Sequence, residues 1–232
     1  MRAKLVFAAV SLFACVNLSA TPIVFSGVLG NARVTRTISD STTGSQAPTN
    51  LALGLLAYTV AGDTIYAYCL EPQQGTGLPG TIVDYVTDSS LLSAPMNVGG
   101  MTMSIADAVR LLLGQLANPF DPNLSLIDRA AMQVAIWELA RERNQMSPNY
   151  SVSTGNVIFA NDVNFAGVVE RAQQFLDGVN SGSGTPYAGL VALVDPNFQD
   201  LISLNPTPEP ATFALIGAGL AGFAVVRRRR RV

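Results

Sequence analysis

The sequence predicts a single α+β domain, β-rich in its N-terminal part and helical in its C-terminal part, carried between two targeting segments. Three observations lead there. Short stretches before residue 71 alternate apolar and polar side chains and are bounded by turn residues, as half-buried strands are. Stretches after residue 103 begin on capping residues and carry apolar side chains at helical spacing. Both ends of the 232-residue chain pair an apolar run with basic residues, a pattern of export and membrane sorting rather than of a core.

At the N-terminus, Arg2 and Lys4 precede the apolar run Leu5 to Val16, and Leu18-Ser19-Ala20 offers small residues for cleavage. This is the layout of a secretory signal peptide, so 1–20 is set apart from the fold. A lipoprotein alternative would use Cys15, but Phe13 is bulky where such a site takes a small side chain. The domain proper is 21–206. Ala32 to Ile38 alternates; residues 39–50 are rich in Ser, Thr, Gln and Pro and read as a loop. Leu55 to Val60 and Thr64 to Leu70 flank Ala61-Gly62-Asp63, a hairpin. Ser104-Ile105-Ala106-Asp107 opens a helix to about Leu116, ahead of Pro119. Ser125-Leu126-Ile127-Asp128 opens a longer one ending near Asn144, where Arg141 and Arg143 suit the negative end of the helix dipole. A third helix is expected over about Val163 to Val179, and Val191 to Val194 and Leu201 to Leu204 return as strands. There is no internal repeat.

Charge and composition close several function classes. Residues 21–206 carry 7 Arg against 15 acids, so nucleic acid is not an expected partner. The chain has no His, which excludes His-dependent nucleophilic catalysis and His-ligated metal sites. No cofactor is expected, because the glycines form no phosphate cradle and no regular calcium loop is present. Glu71, Asp84, Asp107, Asp128 and Glu138 are the carboxylates from which a glycoside-hydrolase pair would have to come, but no spacing selects two of them.

Two segments carry chemistry. In Tyr66-Ala67-Tyr68-Cys69-Leu70-Glu71-Pro72, strand alternation sets Ala67 and Cys69 on one face and Tyr66, Tyr68 and Leu70 on the other. In Met132-Gln133-Val134-Ala135-Ile136-Trp137, Gln133 and Trp137 share a helix face with Ala130 and Ala140, which predicts a buried amide in need of partners. Cys69 is the only Cys left once the signal peptide is removed. An inert core thiol and an intermolecular disulfide are its ordinary alternatives.

At these residues the sequence resembles the thioester domains of bacterial surface proteins, which join a Cys following an aromatic strand residue to a Gln in a helical Gln-x-Ala-Ile-Trp-like motif. The matching positions are Tyr68-Cys69-Leu70-Glu71 and Gln133-Val134-Ala135-Ile136-Trp137, with Cys69 and Gln133 separated by 64 positions. The resemblance implies an internal thioester between the Cys69 sulfur and the Gln133 side-chain carbonyl, with Tyr68, Glu71 and Trp137 as its supporting motif. It implies a single-use covalent adhesin for an amine-bearing surface or matrix target, not a turnover enzyme. With no imidazole available, backbone N–H groups or Tyr hydroxyls are the candidate oxyanion donors. Lys4 is the only lysine and leaves with the signal peptide, so the mature domain brings no ε-amine of its own to such a bond. The alternative is a passive matrix or polysaccharide-associated structural protein with a free, buried Cys69.

The C-terminal segment, 207–232, reads Pro208-Glu209-Pro210, then 16 uncharged residues, 211–226, then five Arg. Sixteen helical residues reach about 24 Å, slightly short of a hydrocarbon core of about 30 Å; snorkelling Arg side chains and local thinning close the difference. The Arg cluster stays cytoplasmic and the domain lies outside. This tripartite ending resembles the PEP-CTERM sorting signal of Gram-negative bacteria that make extracellular polysaccharide. It implies cleavage near Pro208-Glu209-Pro210 by an exosortase-type membrane protease. The chain would be anchored in the inner membrane before processing, then delivered to the cell surface or matrix.

Overall fold

The computed structural model describes residues 21–38, 46–60, 62–70, 75–87, 95–98, 101–142 and 149–204. Among these residues, nine strands and three helices run in the order β1 (Thr21–Ile38), β2 (Gln46–Val60), β3 (Asp63–Cys69), β4 (Ile82–Thr87), β5 (Pro95–Val98), β6 (Met101–Ser104), α1 (Ile105–Leu113), α2 (Leu126–Arg141), β7 (Val157–Asn161), α3 (Val168–Asn180), β8 (Leu190–Val194) and β9 (Leu201–Leu204). The α+β expectation holds at this level: a β-rich first part, then the helices, with two strands returning.

The main sheet is antiparallel throughout, in the order β2-β3-β9-β8-β4-β1-β7, and β1 also pairs with β2. That last pairing closes six strands into a barrel and leaves β7 as an extension on the second half of β1. One long strand serves both purposes because it is bent. Register shifts between Phe25 and Gly27 and between Leu29 and Ala32 kink β1, so residues 21–24 pair with β4 while 34–38 pair with β7. Phe25, Tyr58 and Tyr85 meet ring to ring in the core, with centroids 5.2 and 6.0 Å apart.

α2 is the central helix. Every residue from Ala130 to Leu139 is buried, with α1, α3 and the barrel strands β1, β2 and β3 around it. An apolar helix buried on all sides has little amphipathic contrast, so its few polar residues must find partners inside the protein. Its start is the one predicted: Ser125 accepts from the Asp128 N–H at 3.0 Å and donates to the Asp128 carboxylate at 2.7 Å.

Several boundaries differ from the sequence reading. Residues 46–50 belong to β2 rather than to a loop, because they pair with Thr35 to Ile38. The third helix starts at Val168, not Val163, since Asp162 caps a turn through the Asn164 N–H and the chain enters the helix at Gly167 in the left-handed region. The strands β4 and β7, the hairpin β5–β6 and the first half of β1 were not anticipated. The signal peptide, Glu71, Pro208-Glu209-Pro210 and the apolar run 211–226 lie outside the described residues. Among the described residues, no helix is long and apolar enough to cross a membrane.

Candidate functional site

The site forms where β2 and β3 part. Their ladder runs from Val60–Asp63 to Leu56–Ala67 and stops there, while β2 continues alongside β1. The same register carried further would set Gly54 opposite Cys69. Instead β2 follows β1 so closely that a Cβ on Gly54 would lie 2.5 Å from the Leu29 carbonyl oxygen. On its other side β3 stays paired with β9, Cys69 opposite Leu201, and the Leu70 N–H donates to the Asp200 carbonyl at 2.7 Å. Cys69 is therefore the end of a strand whose main-chain N–H and C=O on the β2 side lack a strand partner.

Gln133 supplies what β2 does not. The Cys69 N–H donates to Gln133 Oε1 at 2.8 Å, and Gln133 Nε2 donates to the Cys69 carbonyl at 2.7 Å. The side-chain amide thus completes one rung of the sheet from a helix. Both residues are buried, Cys69 5% and Gln133 1% exposed, so each bond replaces hydration that burial has removed. The two residues singled out from sequence, 64 positions apart, are in this way joined directly. Cys69 is a free thiol, and burial pushes its pKa well above the ordinary thiol value, so the sulfur keeps its proton.

The supporting residues divide. Tyr68 points away from the thiol: its hydroxyl donates to the Pro119 carbonyl at 2.8 Å and its ring packs on Phe120, tying the loop before α2 to β3. Trp137, one turn beyond Gln133, stacks on Phe159 with centroids 6.4 Å apart and planes at 15°. Its buried indole N–H has no hydrogen-bond partner among the described residues.

A cavity of about 190 Å³ lies against the pair, lined by Cys69, Gln133, Trp137, Thr76 and Gln199 together with aliphatic side chains that include Val28, Leu51 and Leu56. Among the described residues, no ionisable side chain other than the Cys69 thiol lines it. Val28, Ala52 and Gly75 are exposed and mark its mouth.

Tyr58, Tyr85 and Gln199 carried no signal that sequence reasoning could use. Tyr85 donates to the Gln199 carbonyl at 3.1 Å. Burial, and to a lesser degree the nearby Cys69 thiol, raise the Tyr85 hydroxyl to about 12 although its contact with Tyr58 acts the other way; burial also pushes Tyr58 strongly upward. Both hydroxyls stay protonated.

Among the described residues, the carboxylates do not assemble an acid–base pair on this cavity. Asp84 and Asp107 are exposed, and Asp128 takes a 2.8 Å ion pair from Arg171. Glu138, on the last turn of α2, is buried with Glu142, the residue that caps the helix end, and both hold the segment that follows. Glu138 accepts from the Ser151 N–H at 3.2 Å, and Glu142 accepts from the N–H groups of Asn156 and of Val157, the latter at 2.9 Å. A Cβ on Gly155 would meet the Glu142 carboxylate at 2.6 Å, so this loop lies directly on the helix end. Burial, then repulsion from Glu142, raise Glu138 to about 9 despite the opposing Ser151 N–H. Among the described residues there is no group of three metal-ligating side chains.

With this geometry in hand, residues 206–231 match the family model of the PEP-CTERM protein-sorting motif. The chain carries a PEP-CTERM sorting motif. It is accordingly an exported protein, sorted through the membrane and processed by exosortase, a membrane protease. The PEP-CTERM match covers the tail and leaves the domain at 21–206 to its own geometry. No curated protein and no solved structure matches the chain. The comparisons lend no support to the thioester-domain family, so that reading rests on the residues themselves.

Proposed function

We propose that this protein is a surface or matrix component whose Cys69 and Gln133 form an internal thioester that attaches it covalently to an amine-bearing target. The observation that supports this reading is the double hydrogen bond that seats the Gln133 carboxamide on the Cys69 main chain. An unactivated amide is a poor acceptor for sulfur, so bond formation depends on near-attack placement and on a donor to the developing oxyanion. The Cys69 N–H already donates to the oxygen on which that charge would develop. In the reaction the Cys69 sulfur bonds to Gln133 Cδ, the Cδ–Nε2 bond breaks, and the thiol proton leaves with nitrogen as ammonia. The neutral thiol that burial enforces supplies this proton, and an apolar cavity limits hydrolysis of the product. Opening by an amine gives a stable amide and returns the thiol, once per molecule, which is attachment rather than turnover.

Intact mass tests the reading. Once the termini of the processed protein are fixed by sequencing, its mass should fall about 17 Da below the calculated value, the loss of one ammonia on forming the covalent intermediate. Cys69→Ala and Gln133→Ala should each abolish the deficit. A folded wild type of full mass with a titratable thiol would overturn it. That outcome would favour the passive structural protein instead, for which the buried free Cys69 is the supporting observation.

A further inference from the structure

We infer that the attacking amine places its nitrogen where Gln133 Nε2 now lies, hydrogen-bonded to the Cys69 carbonyl, and enters uncharged through the adjoining cavity on a slender apolar stem. The inference rests on the thioester reading and adds to it the class of amine.

The argument starts from the 2.7 Å bond between Nε2 and the Cys69 carbonyl. Thioester formation expels that nitrogen as ammonia and takes away the carbonyl's donor. The carbonyl is inside the protein, at a residue 5% exposed, and a buried acceptor without a donor is costly. A primary amine restores the lost contact: one N–H donates to the Cys69 carbonyl while the nitrogen lone pair faces Cδ. Its attack retraces the path by which ammonia left, with Gln133 Oε1 still held by the Cys69 N–H. The N–Cδ bond forms, the Sγ–Cδ bond breaks, and one proton passes from nitrogen to sulfur, so that the amine has replaced ammonia on Gln133.

The cavity sets which amines can do this. Its volume of about 190 Å³ is somewhat above that of an engineered cavity that takes up benzene, which suits a short aliphatic stem. Its described walls include Val28, Leu51 and Leu56, and among the described residues no carboxylate lines it, so these walls do not compensate an ammonium ion. The amine therefore sheds its proton before entering. A substituent on the carbon bearing nitrogen would have to share the space between Cys69 and Gln133, whereas an unbranched stem extends toward the mouth.

The test is the rate at which the exported, processed protein loses its mass deficit and gains amine mass at Gln133. The probes are n-butylamine, tert-butylamine and methylamine at matched free-base concentration. n-Butylamine should react at least about tenfold faster than tert-butylamine, and its rate at fixed total amine should rise about tenfold per pH unit below its pKa near 10.4. Val28→Phe, at the mouth, should keep the deficit and slow n-butylamine more than methylamine. Equal rates for the straight and branched amines, or a rate that follows total rather than neutral amine, would overturn the inference while the deficit leaves the thioester intact. Absence of the deficit in wild type would overturn both.

Discussion

Replacing Glu138 with Gln should remove most of the pH dependence of stability between about pH 5 and 9. Glu138 is 1% exposed, four residues before the equally buried Glu142, and the fold holds its pKa at about 9 against an ordinary value of 4.5. Because the folded state binds this proton more tightly than the unfolded state, the stability it contributes is fully present below about pH 4.5 and is lost progressively until about pH 9. Each pH unit within that window corresponds to about 1.4 kcal/mol per proton, so the whole interval is worth on the order of 6 kcal/mol, less whatever the buried site recovers by relaxing. The chain has no histidine to obscure the effect. Gln keeps an oxygen to accept from the Ser151 N–H but cannot ionise, so the variant should be nearly flat over the window and more stable than wild type at its alkaline end. Urea unfolding at pH 5, 7 and 9 measures this directly. A wild type as stable at pH 9 as at pH 5, or a variant that keeps the wild-type slope, would refute the assignment of the proton to Glu138.

Gln133→Ala should also destabilise the fold by about 2–4 kcal/mol, because it leaves both the N–H and the C=O of buried Cys69 without partners; denaturant midpoints compared with Cys69→Ala, which keeps those bonds, would show the difference. Deleting residues 211–232 should release the protein into the medium, since a guanidinium cluster crosses a bilayer only at high cost and holds the unprocessed tail in place. Fractionation of cells and medium checks this, and undiminished surface retention of the truncated chain would count against the tail's anchoring role.

The order of the sorting tail could be read directly, because PEP motif, apolar run and Arg cluster act through local composition. The cap at Ser125, the hairpin around Gly62 and the strands 191–194 and 201–204 were legible for a similar reason: turn and cap chemistry acts over three or four residues. Cys69 and Gln133 stood out as the one thiol of the domain and a buried amide. Sequence could not show that one amide answers the needs of the other residue's backbone.

That link is a tertiary decision, made where β2 leaves β3 to stay with β1 and an unsatisfied strand end faces a helix buried on every side. Periodicity distinguishes a buried face from an exposed one, and it is silent when both faces are covered. It therefore located Gln133 but did not foresee that Tyr68 would turn to Pro119, that Tyr58 and Tyr85 would approach the thiol, or that Glu138 would be buried beside Glu142. Barrel closure belongs to the same category. Pairing Ala67 with Ser203 spans most of the domain, and the choice among such distant partners rests on the summed packing of the core. Local sequence specified the thiol, the amide and the export address; only long-range strand pairing specified the contact between thiol-bearing strand and amide.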